Sequence, residues 1–343
     1  MSGEAGDIRI LQAVAIAAAA AIASAALILA LSRVLKRYGM AHPNARSSHK
    51  IPTPQGGGIA VIAATLLVTY GALYLLPAGL FVNPRLPLLA AAAVLIACVG
   101  ALADIHVDNV VPRLLAQTLA VAVAIYALPP ETRVIPVLPE WSERLLLIVG
   151  GLWFVNLVNF MDGLDWMTVA EVVPVTAALA VSGLLGILSS QETILSLSLC
   201  GAMIGFAYFN RPVAKLFLGD VGSLPIGLLL GWLLVLLAGH GGRAAALLLP
   251  LYYLADSTLT LLRRLMKGEP VWQAHRSHFY QRATDGGFTV IAVVARVFAI
   301  NLGLAALAIA IVILPGKFND LAALAAGAAL VAWLLTEFAK GKR

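Results

Sequence analysis

The sequence predicts an all-α protein that crosses a membrane many times, and three observations carry that reading. Of its 343 residues, 61% are hydrophobic and 12% charged, with a mean hydropathy of +0.94. Soluble domains carry about 25% charged residues, so too little polar surface remains here to cover an aqueous globule. The apolar residues also come in continuous runs close to the ~20 residues that a spanning helix needs. They do not alternate as the strands of a barrel would. Finally, Lys and Arg are segregated between alternate loops, as topology signals are.

Taken in order, the apolar runs predict about eleven spans: 8–31, 57–77, 87–103, 113–130, 144–160, 168–189, 193–209, 222–239, 244–265, 289–314 and 320–338. The first is too long for a signal-peptide core and has no clear cleavage site, so it reads as a span. The runs at 87–103 and 144–160 are short. An odd number of spans puts the termini on opposite sides. One set of loops (33–50, 113, 211–215, 263–282 and the tail 340–343) holds sixteen Lys and Arg, and the other set holds six. By the positive-inside rule the first set is cytoplasmic, which places the N-terminus in the periplasm and the C-terminus in the cytoplasm.

The net charge of +6 is therefore a topology signal, and no nucleic-acid partner is expected. Cys98 and Cys200 lie inside apolar runs and read as packing residues, with no disulfide or zinc pattern. No internal repeat suggests a two-halved transporter. The chain reads as one transmembrane domain over 1–343, with catalytic loops near 32–56, 104–112, 159–167, 210–222 and 264–288.

Those cytoplasmic loops hold nearly all the Asn, Asp and His able to do chemistry. The run from Ser47 to Gly58 offers hydroxyls, Lys50 and the triplet Gly56-Gly57-Gly58 before a span. Backbone N–H groups there suit phosphate oxygens, and glycine permits close approach, but the same loop serves equally as a structural turn. Asp104 and Asp108 stand at the inner end of a span. Ionisable residues at membrane depth are costly and mark function. Asp108 reads as solvated, whereas Asp104 fits either role.

The segment Asn156 to Asp165 is stronger: two amides and two carboxylates fall within ten residues. Hard cations such as Mg²⁺ take oxygen ligands, often one or two from protein, with phosphate and water completing the shell. Asn159, Asp162 and Asp165 recur at helical spacing. Next, Gly219-Asp220-Val221-Gly222 sets a carboxylate between glycines just before a span. Phe217 ahead of it, by spacing alone, favours core packing over stacking on a base. The last loop, from Arg263 through His275-Arg276-Ser277-His278, concentrates cations and histidines. It suits an anionic lipid surface or a phosphate-bearing substrate, and lacks the partners for zinc.

Together, in this order from about residue 46 to 285, the five segments resemble the polyprenyl-phosphate N-acetylhexosamine-1-phosphate transferases. The stretch from Ala274 to Arg282 is more similar to the O-antigen-initiating branch than to the phospho-MurNAc-pentapeptide translocases. The resemblance implies a bacterial inner-membrane enzyme with a cytoplasmic site. It would transfer a sugar-1-phosphate from a UDP-amino sugar to undecaprenyl phosphate, release UMP and require Mg²⁺, with Mn²⁺ as a substitute. It also implies roles by position. Asn159 and Asp220 would hold the metal, and Asp104, Asp162, Asp220, His275 and His278 would be catalytic. Asp165, Gly163, Phe217, Asn210 and Arg276 would bind the nucleotide or sugar, and Lys50 the lipid phosphate. Dimers occur in the family.

One departure stands out: where the family has two adjacent aspartates, this chain has Ala103-Asp104. The missing carboxylate is a proposed base for the lipid phosphate. A phosphate monoester has a second pKa near 6, so most of it is already dianionic at pH 7. A catalytically impaired member is the first alternative reading, and a lipid-linked sugar transporter, which would want polar residues at mid-membrane, is the second.

Overall fold

The computed structural model describes residues 8–41, 52–75, 83–105, 110–270 and 275–342. It is an all-α, polytopic membrane protein. The helices are α1 (Ile10–Tyr38), α2 (Gly57–Leu75), α3 (Leu86–Ile105), α4 (Val110–Tyr126), α5 (Glu140–Met161), α6 (Met167–Leu184), α7 (Ser190–Ala207), α8 (Asp220–Gly239), α9 (Arg243–Leu248), α10 (Leu251–Met266), α11 (Phe279–Asp285), α12 (Val290–Ile313) and α13 (Lys317–Lys340). Among the described residues each of the eleven apolar runs is mostly helical, and eight of the helices are long and apolar enough to cross a membrane alone.

Two features differ from the sequence expectation. The run at 244–265 is not one helix: it breaks after Leu248, and α10 starts behind Pro250. Proline has no N–H to give to the preceding turn and its ring crowds the backbone there. Moreover, the loop before α12 contains a helix of its own, α11.

Helix α8 is the centre of the bundle. In its most apolar stretch 89% of residues are buried, against 22% for α1, and it packs between α3 and α5. Helix α10 shows what surrounds the bundle. Its buried face carries Asp256, Ser257, Thr260 and Arg264, while Leu259, Leu262 and Leu265 point outward. A helix in water does the reverse, so the outer face is built for lipid.

A two-stranded antiparallel ribbon pairs β1 (Met40–Ala41) with β2 (Thr53–Pro54) and leads into α2. Directly after it the chain docks beside the segment before α8. Phe217 N–H donates to the Pro54 carbonyl (2.8 Å), and Gly57 and Gly58 N–H donate to the carbonyls of Phe217 and Leu218 (both 2.9 Å). A Cβ on Gly58 would stand 2.1 Å from the Gly222 Cα, so α2 and α8 cross at a glycine–glycine contact. The amides of Gly57 and Gly58 are thus engaged by backbone, and these glycines serve the helix crossing.

Candidate active site

The C-terminal ends of α3, α5 and α7, the N-terminus of α8 and the loop around α11 meet at one end of the bundle. At the centre stands Asp220, the first residue of α8. Its Oδ1 accepts from Asn159 Nδ2 (2.7 Å), which also donates to Ser223 Oγ (2.8 Å). Arg113, at the start of α4, reaches both groups: its guanidinium lies 3.2 Å from Asp220 Oδ2 and 3.3 Å from Asn159 Oδ1.

Asp104 holds this arrangement from below. Its Oδ1 accepts from the Asp220 N–H (3.0 Å) and its Oδ2 from the Val221 N–H (3.2 Å). The first N–H groups of a helix have no partner within it; here a carboxylate from α3 caps α8. The close fit requires glycine at two places. Gly219 takes φ +78°, and a Cβ there would meet Asp104 Oδ2 at 2.6 Å; a Cβ on Gly100 would meet the Asp220 carbonyl oxygen at 2.3 Å.

The acidic segment after α5 turns back under the site. The Asp162 carboxylate accepts from the Thr168 hydroxyl. Its pKa is pushed up to about 8, mainly by burial and further by the neighbouring carboxylates of Asp220, Asp104 and Asp165, against the opposing Thr168 bond. Asp165 Oδ2 accepts from the Ala214 N–H (2.9 Å). Asn210 is buried: its Oδ1 accepts from the Trp166 N–H (2.7 Å) and its Nδ2 donates to the Leu216 carbonyl (2.9 Å). Both polar ends of that amide brace the loop backbone.

The histidine segment docks on the acidic one. Tyr280 donates its hydroxyl to the Phe160 carbonyl (3.1 Å), and a Cβ on Gly163 would come within 2.1 Å of the same hydroxyl. The His275 and His278 rings stack with centroids 4.9 Å apart. His275 has a pKa lowered to about 4, by burial first and then by His278 and Arg264. Arg276 is ion-paired with Asp285 (3.0 Å).

Two clefts meet at this centre. One, of about 720 Å³, is lined by Asp104, Asp162, Gly163, Asp165, Asn210 and Phe217, with Thr53, Gln55 and Gln281 opposite. The other, of about 690 Å³, is lined by Arg113, His275 and His278 at its polar end. Val110, Leu114, Val149, Leu152, Trp153 and Leu261 line it along the outer flanks of α4, α5 and α10. Asn159 and Asp220 line both. Most of the residues that the sequence singles out are therefore gathered, and Phe217 faces the first cleft. Arg276 lines neither cleft, and Lys50 and Asp108 lie outside the described residues. Two residues bonded into this arrangement escape a reading of the sequence: Arg113, which looks there like a topology charge, and Asp256, a carboxylate inside the apolar run 244–265. The cost of charge at membrane depth is the signal that points to Asp256.

Among the described residues no group of three or more His, Cys, Asp or Glu side chains is placed to hold a metal ion. The oxygens of Asn159 and Asp220 do fit a hard cation that takes only one or two protein ligands and completes its shell with phosphate and water. Both already face a cationic group, the Arg113 guanidinium.

The sequence profile described as Glycosyl transferase family 4 matches residues 86–238. A probable undecaprenyl-phosphate N-acetylglucosaminyl 1-phosphate transferase of Bacillus subtilis is 26% identical over 80% of this chain and 80% of its own. A decaprenyl-phosphate N-acetylglucosaminephosphotransferase of Mycobacterium tuberculosis is 29% identical over 87% of this chain and 81% of its own. The chain is a phosphoglycosyltransferase, similar over residues 86–238 to glycosyl transferase family 4. A phospho-N-acetylmuramoyl-pentapeptide-transferase of Leuconostoc citreum is also similar, 32% identical over 57% of this chain and 63% of its own. The match spans the α3-to-α8 core that carries Asp104, Arg113, Asn159 and Asp220.

Proposed function

We propose that this phosphoglycosyltransferase transfers an N-acetylhexosamine-1-phosphate from a UDP-sugar to undecaprenyl phosphate at the cytoplasmic face of a bacterial inner membrane, as a first step of cell-envelope polysaccharide synthesis. The observation that carries this reading is the meeting of two unlike clefts at Asn159 and Asp220. The polar cleft suits a soluble nucleotide diphosphate, with Phe217 available to stack on a base. The other opens on the lipid-facing flank and ends in Arg113, His275 and His278, which suits a phosphate on an apolar tail.

The chemistry balances without a covalent enzyme intermediate. A non-bridging oxygen of the lipid phosphate attacks the β-phosphorus of the donor. The bond from that phosphorus to the bridging oxygen breaks, and UMP leaves with the electron pair. Asn159 and Asp220 would hold Mg²⁺, which supplies charge neutralisation at the phosphoryl oxygens. Arg113 contributes further positive charge, and the histidines offer hydrogen bonds, where charge gathers. The two clefts orient acceptor against donor, which lowers the entropic part of the barrier. Asp104 has its carboxylate on two backbone amides, so its part is to hold Asp220 in place. The acceptor dianion needs no strong base near neutral pH.

The test is a donor screen. Detergent-solubilised protein is given undecaprenyl phosphate, Mg²⁺ and a panel of UDP-sugars, and UMP release is measured. Release that requires all three components supports the proposal, and a UDP-N-acetylglucosamine preference would match the names of the first two relatives. No UMP from any donor sinks it. Activity that appears only in Ala103→Asp favours an impaired enzyme instead.

A further inference from the structure

Asp256 takes no part in either cleft, yet it is the most heavily bonded carboxylate described. It is fully buried on α10. Its Oδ1 accepts from the Phe279 N–H (3.0 Å) and the Thr260 hydroxyl (3.3 Å), and lies 3.1 Å from His278 Nδ1. Its Oδ2 accepts from the Tyr280 N–H and the Tyr252 hydroxyl (both 3.2 Å). Two of these donors are the first amides of α11, so part of the role is to cap that helix. A cap alone is met by Ser, Thr or Asn, without the cost of a carboxylate inside an apolar bundle. What a carboxylate adds is its contact with the imidazole.

With four other donors pointing at it, this carboxylate acts as an acceptor, so His278 Nδ1 must carry a proton toward it. That fixes the ring in one tautomer and one plane, and leaves Nε2 for the cleft that His278 shares with Arg113, Asn159 and Asp220. Two rings help to hold that plane: His275 stacks on it at 26°, and Tyr280 lies at 22° with its centroid 5.6 Å away.

We propose that Asp256 is a positioning residue for the transfer reaction: it holds His278 with Nδ1 protonated and presents Nε2 to a phosphate oxygen at the junction of the two clefts. This rests on the transferase reading above. Asparagine at 256 can still accept from backbone, but it can also offer N–H to the ring, which favours the opposite tautomer. The measurement is a double-mutant cycle in the UMP assay.

Asp256→Asn is expected to lower kcat on the order of 10²-fold, the scale of a misplaced acid–base group, with KM for the donor within about threefold. In a His278→Gln background the same change is expected to cost less than about threefold, because the group it serves is gone. Equal losses in both backgrounds, or no loss in the first, would overturn the proposal and leave a helix cap only. A readout without turnover is nitrogen-15 NMR of histidine-labelled protein in nanodiscs, with His278 assigned from His278→Gln. Nδ1 is expected to be protonated in the unmodified protein, and an unprotonated Nδ1 overturns the proposal even if Asp256→Asn does not fold. Failure of the transferase reading looks different: no UMP from the unmodified protein with any donor, while the spectrum still decides the tautomer.

Discussion

Two helices of this protein begin at the candidate active site, and each is capped by a carboxylate from another helix. Asp104 of α3 accepts from the first two amides of α8, and Asp256 of α10 from the first two amides of α11. In both, the residue that faces the cleft stands at the capped end: Asp220 on α8 and His278 ahead of α11. The surroundings differ. Asp104 lines the polar cleft, where ligand and solvent reach it, whereas Asp256 is sealed from both. The lesson is that a carboxylate in an active-site sequence can serve through another residue, and that its exposure does not reveal which. The α8 start is also clamped by glycine contacts at Gly58, Gly100 and Gly219. The α11 start hangs on hydrogen bonds and ring stacking, and is the softer of the two.

The sharpest way to test the α8 side is to change what it presents. Asp220→Asn keeps the side chain's shape and its place above Asp104 but removes a charge. UMP release is expected to fall on the order of 10³-fold or more, since phosphoryl transfer depends above all on stabilising the charge that develops at the phosphoryl oxygens. Retained turnover would break the assignment of Asn159 and Asp220 as the cation site. Asp104→Ala should do less to the chemistry and more to the fold. It strands two amides at about 1–3 kcal/mol each, so the melting temperature should drop. Turnover should fall about 10²-fold, the scale of an ångström-level misplacement. Loss of activity at unchanged stability would instead make Asp104 a direct participant.

Much of this is open to sequence reading, and the rest is hidden for identifiable reasons. The helices follow from composition, because only a helix satisfies its own backbone in lipid. The break at Pro250 is masked by its leucine neighbours: Leu247, Leu248 and Leu249 keep the hydropathy high where the backbone cannot continue. The polar residues of the five loops stand out as chemical groups, but spacing cannot apportion them. Asn210 and Asp165 spend polar atoms on loop backbone, and Asp104 caps a helix 116 residues away. Such bonds are set by packing, which has no local signature. Asp256 is legible in principle by the argument that applies to Asp104, the cost of a carboxylate at membrane depth.

The softer side of the comparison has its own lever. Gly163 is where α11 rests on the acidic loop, and Gly163→Ala pushes a methyl into the Tyr280 hydroxyl. Turnover should fall about tenfold, or ~1.4 kcal/mol of barrier, with a small loss of stability. Tyr280→Phe in the same protein removes the clashing oxygen and should recover part of the loss, although it gives up the bond to Phe160. If the double variant is no better than the single, Gly163 matters for backbone conformation or ligand contact and not for docking.

The smallest expected effect is one of pH, and it falls on His275. In the folded protein its pKa is lowered to about 4, through burial and then through His278 and Arg264, against about 6.5 unfolded. Between those values the unfolded chain binds the extra proton and the folded chain does not, so stability rises as pH goes up through that window and is lost as pH falls through it. His275→Gln removes this proton uptake. Its melting temperature should therefore fall less than that of the unmodified protein between pH 6.5 and 4, and the two curves should run parallel above pH 7. An unchanged slope in His275→Gln would mean that the imidazole is solvated and that the stack with His278 opens in solution.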